Sequence, residues 1–405
     1  MRIIFISFGF PPSTGGVEAM MASQLAYFKE RGVHNTVLTC SMDKKTTFRR
    51  TGFGELIRTP LLNRSRPDAP SARSLAQWLH EIVANIRPDI IYCHNLTFPY
   101  GPARTRAIVR TITRRFPGIP LIEHAHNAQN AQHRSVALQR GLARLPWDAI
   151  VCVSTYAKSQ FVKQGISGRR INVIYNGIDL KQFKPLPKTR AALLKRYNLD
   201  PKQVYAVFPS RPFTSAGELN IKKGFGLAAR ALSLAHPAFN NLHLLAPSNE
   251  GHNPKQKRES LNELNAFTKK IGISARVALL PEFSRAEMPT LYALGDIVVA
   301  PSTREAFGLV YAEAMAMQKP VIAVKSGAAP EIITHNKTGF LIERPSARLL
   351  AHQITQVMRM PKTSLNALTA TARKQVQKKF SSRLFGERTL ELCARMLKKT
   401  RASSS

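Results

Sequence analysis

The sequence predicts an α/β protein with two doubly wound domains. Three observations predict it. Short apolar runs alternate along the chain with longer helical patterns, as parallel sheets with crossover helices require. The 405 residues suffice for two domains, each with its own core. Glycine-bearing turns stand between a strand and a helix in each half, at Pro11–Glu18 and at Ala306–Leu309, where helix N–H groups are left open to an anion.

The elements follow in order. Arg2 to Phe10 is too short, and too soon broken by Pro11-Pro12, for a signal peptide, and reads as a first buried strand over Ile3–Ser7. Asn35–Thr39, Ile90–Cys93, Pro120–Ala125 and Ala149–Ser154 read as further strands; Glu18–Glu30, Ser74–Ile86 and Ala103–Phe116 read as helices. The Asn176-Gly177 pair is a turn signal. Beyond it, prolines and lysines cluster from Asp179 to Pro187, where the domain boundary is placed. Val204–Pro209 opens the second domain as a strand. Val310–Met317 reads as a helix, Pro320–Val324 as a strand, and Arg373–Lys399 as one basic helix. The expected division is 1–182, 183–379 and a C-terminal helix over 380–405.

A hydrophobic content of 44% is ordinary for a globular chain. No apolar run approaches the ~18–20 residues of a membrane span. Cys40, Cys93, Cys152 and Cys393 are scattered and form no metal-ligand pair, so they read as core thiols in a reducing compartment. The first turn, Pro11-Pro12-Ser13-Thr14-Gly15-Gly16-Val17-Glu18, is not the dinucleotide fingerprint and argues against a dehydrogenase. Its adjacent glycines still let a ligand approach a helix start.

The richest stretch runs from Ala300 to Ile342. Glu305 and Glu313 flank the turn Ala306-Phe307-Gly308-Leu309, and Glu331 follows the next strand. Carboxylates beside an anion site suit the hydroxyls of a ribose or a sugar. The run of Pro301, Ser302, Glu305, Phe307, Gly308, Leu309, Glu313, Ala314, Met315, Ala316, Pro320, Val321, Gly327, Glu331, Thr338 and Gly339 closely resembles the signature of the retaining family 4 glycosyltransferases of the GT-B fold.

That resemblance implies two Rossmann-like domains facing a cleft, with the C-terminal helix crossing back to the first. It implies transfer of a sugar from a nucleoside diphosphate to an acceptor hydroxyl, in cell-envelope glycan or glycolipid synthesis. Gly15 and Gly16 then face the donor phosphates and sugar. Glu305 and the backbone of Phe307, Gly308 and Leu309 hold the sugar hydroxyls, and Glu313 binds the ribose. Arg211 and Lys223 neutralise the diphosphate, with Lys222 a substitute because the segment before Lys223 is longer than usual. His126, at the end of its strand, lies against the sugar; His124 reads as structural, and His94 stands open as an acceptor-lining residue. Gln318-Lys319 and Ala328-Ala329 depart from the glycines usual in the family. No cofactor is expected, and no metal, since no Asp-x-Asp pair occurs.

The net charge of +36 points to a polyanionic partner. Arg106, Arg110 and Arg114 form one stripe of a helix opposite Ile108 and Ile112, with Lys44, Lys45, Arg49, Arg50, Arg64 and Arg66 in segments nearby. The expected partners are the nucleotide-sugar donor, a glycan or lipid-linked acceptor and, peripherally, the anionic inner face of the cytoplasmic membrane in an otherwise cytoplasmic protein. Nucleic acid is the lesser alternative, because no stacking aromatics interleave with the basic runs. A sugar-nucleotide epimerase and a nucleic-acid-associated protein of the same fold remain open as other readings.

Overall fold

Strands such as Arg2–Ser7, with a continuous apolar run from Ile3 to Ile6, belong in sheets covered on both faces. The computed structural model describes residues 1–11, 15–41, 43, 45–63, 71–97, 102–127, 136–186, 189–212, 223–235, 237–248 and 254–404. Pro12 to Thr14, Lys44, Arg64, Arg66, Pro187 and Lys222 lie outside the described residues.

The chain forms two units, Met1–Gly177 with Ser382–Ser405, and Ile178–Ser381. Unit 1 contains β1 (Arg2–Ser7), α1 (Gly16–Lys29), β2 (His34–Cys40), β3 (Thr47–Thr51), β4 (Gly54–Thr59), α2 (Ala72–Ile86), β5 (Ile90–His94), α3 (Pro102–Arg115), β6 (Leu121–Ala125), α4 (Val136–Ala143), β7 (Ala149–Cys152), α5 (Thr155–Lys163) and β8 (Ile171–Val173). The sheet order is β3-β4-β2-β1-β5-β6-β7-β8. All neighbours are parallel except β3, which pairs antiparallel with β4.

Unit 2 contains α6 (Arg190–Arg196), β9 (Val204–Val207), α7 (Phe225–Ser233), β10 (Leu242–Pro247), α8 (Pro254–Lys270), β11 (Val277–Leu280), α9 (Met288–Leu294), β12 (Ile297–Ala300), α10 (Leu309–Ala316), β13 (Val321–Val324), α11 (Ala329–Ile332), β14 (Phe340–Ile342), α12 (Ala347–Arg359) and α13 (Lys362–Lys379). Its sheet, β11-β10-β9-β12-β13-β14, is parallel throughout. Phe208 and Phe225, both fully buried, meet edge to face in its core, each such ring contributing roughly 1.5–3 kcal/mol by burial.

The basic helix expected over Arg373–Lys399 is two helices, α13 and α14 (Ser382–Ser404). The break lies at Phe380, which leaves the helical conformation, buries its ring against Phe307 and accepts a backbone bond from Ile178 at 2.7 Å. Beyond the break α14 belongs to unit 1, where Phe385, Leu392 and Cys393 join the core that holds Phe5 and Phe28. Gly386 permits this packing, since a Cβ there would lie 2.4 Å from the Tyr27 ring of α1.

Candidate active site

In a doubly wound sheet, ligands bind beyond the carboxyl ends of strands whose connections leave on opposite sides. β9 in unit 2 lies between β10 and β12. The chain after β9 carries Arg211, and the chain after β12 carries Glu305 and the Phe307-Gly308-Leu309 turn. Topology thus sets residues about ninety positions apart beyond the same ends of two neighbouring parallel strands.

Lys223, just before α7, donates to Glu305 Oε1 at 2.5 Å, and the Glu305 side chain is only 12% exposed. Gly327 closes over the Glu305 backbone, with φ +56° and no room for a Cβ, which would stand 2.4 Å from the Glu305 carbonyl oxygen. Gly308 caps α10 at φ +91°, where a Cβ would meet the Tyr311 ring at 2.4 Å. No side chain caps this helix; the Tyr311 N–H turns back to the Gly308 carbonyl at 3.0 Å, which leaves the N–H groups of Leu309 and Val310 at the helix start.

Glu313, in the second turn of α10, is buried. Its Oε1 accepts from the Arg285 guanidinium and its Oε2 from the Tyr292 hydroxyl at 2.7 Å. Burial, then the nearby Glu313 charge, push the Tyr292 phenol well above its ordinary range, so it keeps the proton it donates. Arg285 also lies 4.6 Å over the Phe183 ring. Arg211 pairs with Glu282 at 2.8 Å. Each of these three carboxylates is therefore matched to a cation.

In unit 1 the corresponding strands are β1, β5 and β6. Gly15 precedes α1 without a side-chain cap, and Gly16 is its first residue. His94 ends β5, His124 lies near the end of β6, and His126 stands just beyond it. Alternation puts His124 and His126 on one face, and their rings stack at 4.3 Å. His94 Nδ1 lies 3.1 Å from His126 Nε2, and the Tyr92 hydroxyl lies 3.0 Å from His124 Nδ1. Burial drives all three imidazoles toward the neutral form, His126 to about 3.

The three residues offer ring nitrogens within 4.8 Å of one another. Their planes nevertheless lie within 28° of parallel, so in-plane lone pairs run side by side rather than converging on a tetrahedral ion. The set suits a hydrogen-bonded stack. On β6 beside them, Glu123 accepts from the Thr97 backbone N–H and hydroxyl, both at 2.9 Å, and burial raises its carboxyl to about 7.

Sequence reasoning singled out His126, Arg211, Lys223, Glu305 and Glu313 but not Arg285, Tyr292, Phe183 or Glu282, which complete the unit 2 constellation. Nothing in the sequence distinguishes Arg285 among 60 lysines and arginines. Arg285 precedes α9, and it and Tyr292 of α9 converge on Glu313 of α10.

The model of Glycosyltransferase Family 4 matches residues 14–182, and that of Glycosyl transferases group 1 matches residues 209–375. The chain is 28% identical over 242 residues to a D-inositol 3-phosphate glycosyltransferase of Rhodococcus jostii, covering 56% of this chain and 50% of that one. It is 28% identical over 218 residues to a GDP-mannose-dependent alpha-(1-6)-phosphatidylinositol monomannoside mannosyltransferase of Mycobacterium tuberculosis, covering 52% of each. The chain thus spans about half the length of these curated relatives. Among solved structures, a glycosyltransferase from Rickettsia africae aligns at TM-score 0.76 and 20% identity over 98% of both chains. Anabaena HepE in complex with UDP-glucose aligns at TM-score 0.75 and 21% identity, over 97% of this chain and 99% of that one. With the Glycosyltransferase Family 4 model over residues 14–182 and the Glycosyl transferases group 1 model over residues 209–375, which together take in most of the chain, it belongs to the family 4 glycosyltransferases, the glycosyl transferases group 1.

Proposed function

We propose that this protein is a retaining glycosyltransferase that uses a nucleoside diphosphate sugar. The observation that carries the reading is the Lys223–Glu305 pair at the Gly308 turn, with Glu313 buried one turn further along the same helix. Glu313 takes the ribose hydroxyls. Glu305 and the Phe307–Leu309 backbone take the sugar hydroxyls. Arg211, Lys223 and the open end of α10 stabilise charge on the departing diphosphate, the kind of fixed electrostatic term that usually dominates catalysis. His126 orients the sugar.

The bond between the anomeric carbon and the diphosphate oxygen breaks. A bond to the acceptor oxygen forms on the same face, and the acceptor proton passes to the departing phosphate oxygen. The acceptor is a phosphate-bearing glycan or lipid-linked sugar. The names of the Rhodococcus and Mycobacterium relatives, both carrying an inositol phosphate, support that class, as does the +36 charge.

Peripheral docking on anionic lipid is part of the same proposal. No helix among the described residues is long and apolar enough to cross a membrane. A groove of about 860 Å³ between α2 and α3 is lined by Arg73, His80, Arg110, Arg114 and Arg115 and by no carboxylate.

The test is turnover with a panel of sugar nucleotides, with the product anomer read by NMR. Retention of configuration, undiminished in EDTA, is expected. An inverted product, or activity that vanishes on chelation and returns with magnesium or manganese, contradicts the mechanism.

A further inference from the structure

We infer that His94 is the positioning residue of His126, fixing it as the tautomer that keeps its proton on Nδ1. His126 then serves as a hydrogen-bond donor and not as a base. The inference rests on the reading above, in which His126 meets the donor sugar.

Both rings are buried, His94 at 1% and His126 at 6% exposure, and burial holds both neutral. Each neutral ring carries one proton, so in the bond between His94 Nδ1 and His126 Nε2 one nitrogen donates and the other accepts. If His126 donated, the single proton of His94 would sit on its Nε2. That atom is buried and has no hydrogen-bond partner among the described residues. The His94 ring packs against the rings of Phe5 and Tyr92, at 6.0 and 5.1 Å between centroids. A buried N–H without an acceptor is the rarer and costlier orphan. If His94 donates from Nδ1, its Nε2 carries only a lone pair and no stranded proton. His126 must then accept at Nε2 and hold its own proton on Nδ1.

The rest of the cluster locks this ring in place. The His126 backbone N–H donates to Asn95 Oδ1 at 3.3 Å, and the His126 face lies on His124, whose Nδ1 is hydrogen-bonded to the Tyr92 hydroxyl. Asn95 adopts φ +61° immediately after His94, and its N–H donates to the His124 carbonyl at 2.8 Å. The loop after β5 is thereby fastened across the end of β6, and the two histidines keep their register.

Long-range nitrogen–proton NMR on the full chain, with labelled imidazoles and a His126→Gln spectrum for assignment, reads the tautomer directly. The expected wild-type pattern is a protonated Nδ1 and a bare Nε2 at His126. In His94→Phe the His126 signal moves toward the Nε2–H form, and kcat falls about 10–100-fold with little change in donor KM, the size of loss that orienting partners beyond the ligand commonly cause. His94→Asn, whose amide can donate in place of the ring N–H, recovers part of the rate. An Nε2–H tautomer in the wild type overturns the inference, whether or not the variants fold. So does a His94→Phe enzyme with unchanged tautomer and kcat. Unimpaired turnover in His126→Gln would instead sink the parent reading of His126, and the tautomer assignment would stand on its own.

Discussion

Glu123 and the histidines beside it titrate in opposite senses at the same strand end. The Glu123 carboxyl is pushed by burial from 4.5 to about 7, so the native state holds that proton more tightly than the unfolded chain. Native stability therefore falls as pH rises from about 4.5 to about 7 and stays lower above that. The histidines are pushed the other way, so the unfolded chain binds more protons below 6.5 and the native state weakens as pH drops through that range. Glu123→Gln mimics the protonated carboxyl and keeps the Thr97 contacts. It should leave stability near pH 4.5 little changed and raise it at pH 8 by about 3 kcal/mol relative to wild type. Urea unfolding followed by tryptophan fluorescence measures this, because Trp78 and Trp147 both lie in unit 1. An equal difference at both pH values contradicts it.

At the scale of elements, α10 ends in a left-handed residue that is not a glycine. Gln318 occupies the left-handed position at φ +53°, its N–H bonds to the Met315 carbonyl and the Lys319 N–H bonds to the Ala314 carbonyl. This is the glycine-favouring helix stop, filled by a residue with a Cβ. Gln318→Gly should stabilise unit 2 by about 1 kcal/mol, visible as a raised denaturation midpoint; a lowered one would mean the glutamine side chain makes a compensating contact. In α3, Thr105, Ile108, Val109 and Ile112 are buried while Arg106, Arg110 and Arg114 are exposed. Each cation near an anionic bilayer contributes about 1 kcal/mol, so reversing Arg110 and Arg114 to glutamate should cut co-sedimentation with phosphatidylserine vesicles by more than about tenfold. If the wild type fails to bind those vesicles at low salt, the docking proposal is wrong. The β3–β4 hairpin was not legible. Both faces of Thr47–Thr51 are open and Phe48 is 65% exposed, so no apolar alternation marks the strand.

Across the whole molecule, legibility tracks burial and motif. The parallel strands could be read because they are buried on both faces and so appear as continuous apolar runs, as in Ile90–His94 and Val321–Val324. Glu305 and Glu313 could be read because they belong to a long motif around the Phe307-Gly308-Leu309 turn, whose glycine the fold requires: at φ +91° a Cβ there would meet the Tyr311 ring. Arg285 and the bond between His94 and His126 could not, since each depends on residues of different elements meeting in space. The break at Phe380 was hidden because both flanking helices are basic and of similar composition.

The central claim is that unit 2 holds a nucleoside diphosphate through Glu313. Isothermal titration of the wild type and Glu313→Gln with the diphosphates of uridine, guanosine and adenosine, and with their sugars, tests it most directly. The account predicts saturable binding of at least one of them, weakened in the variant by about 1.5–3 kcal/mol, roughly tenfold to a hundredfold. Binding of none of them by the wild type, or equal affinity in the variant, would contradict it.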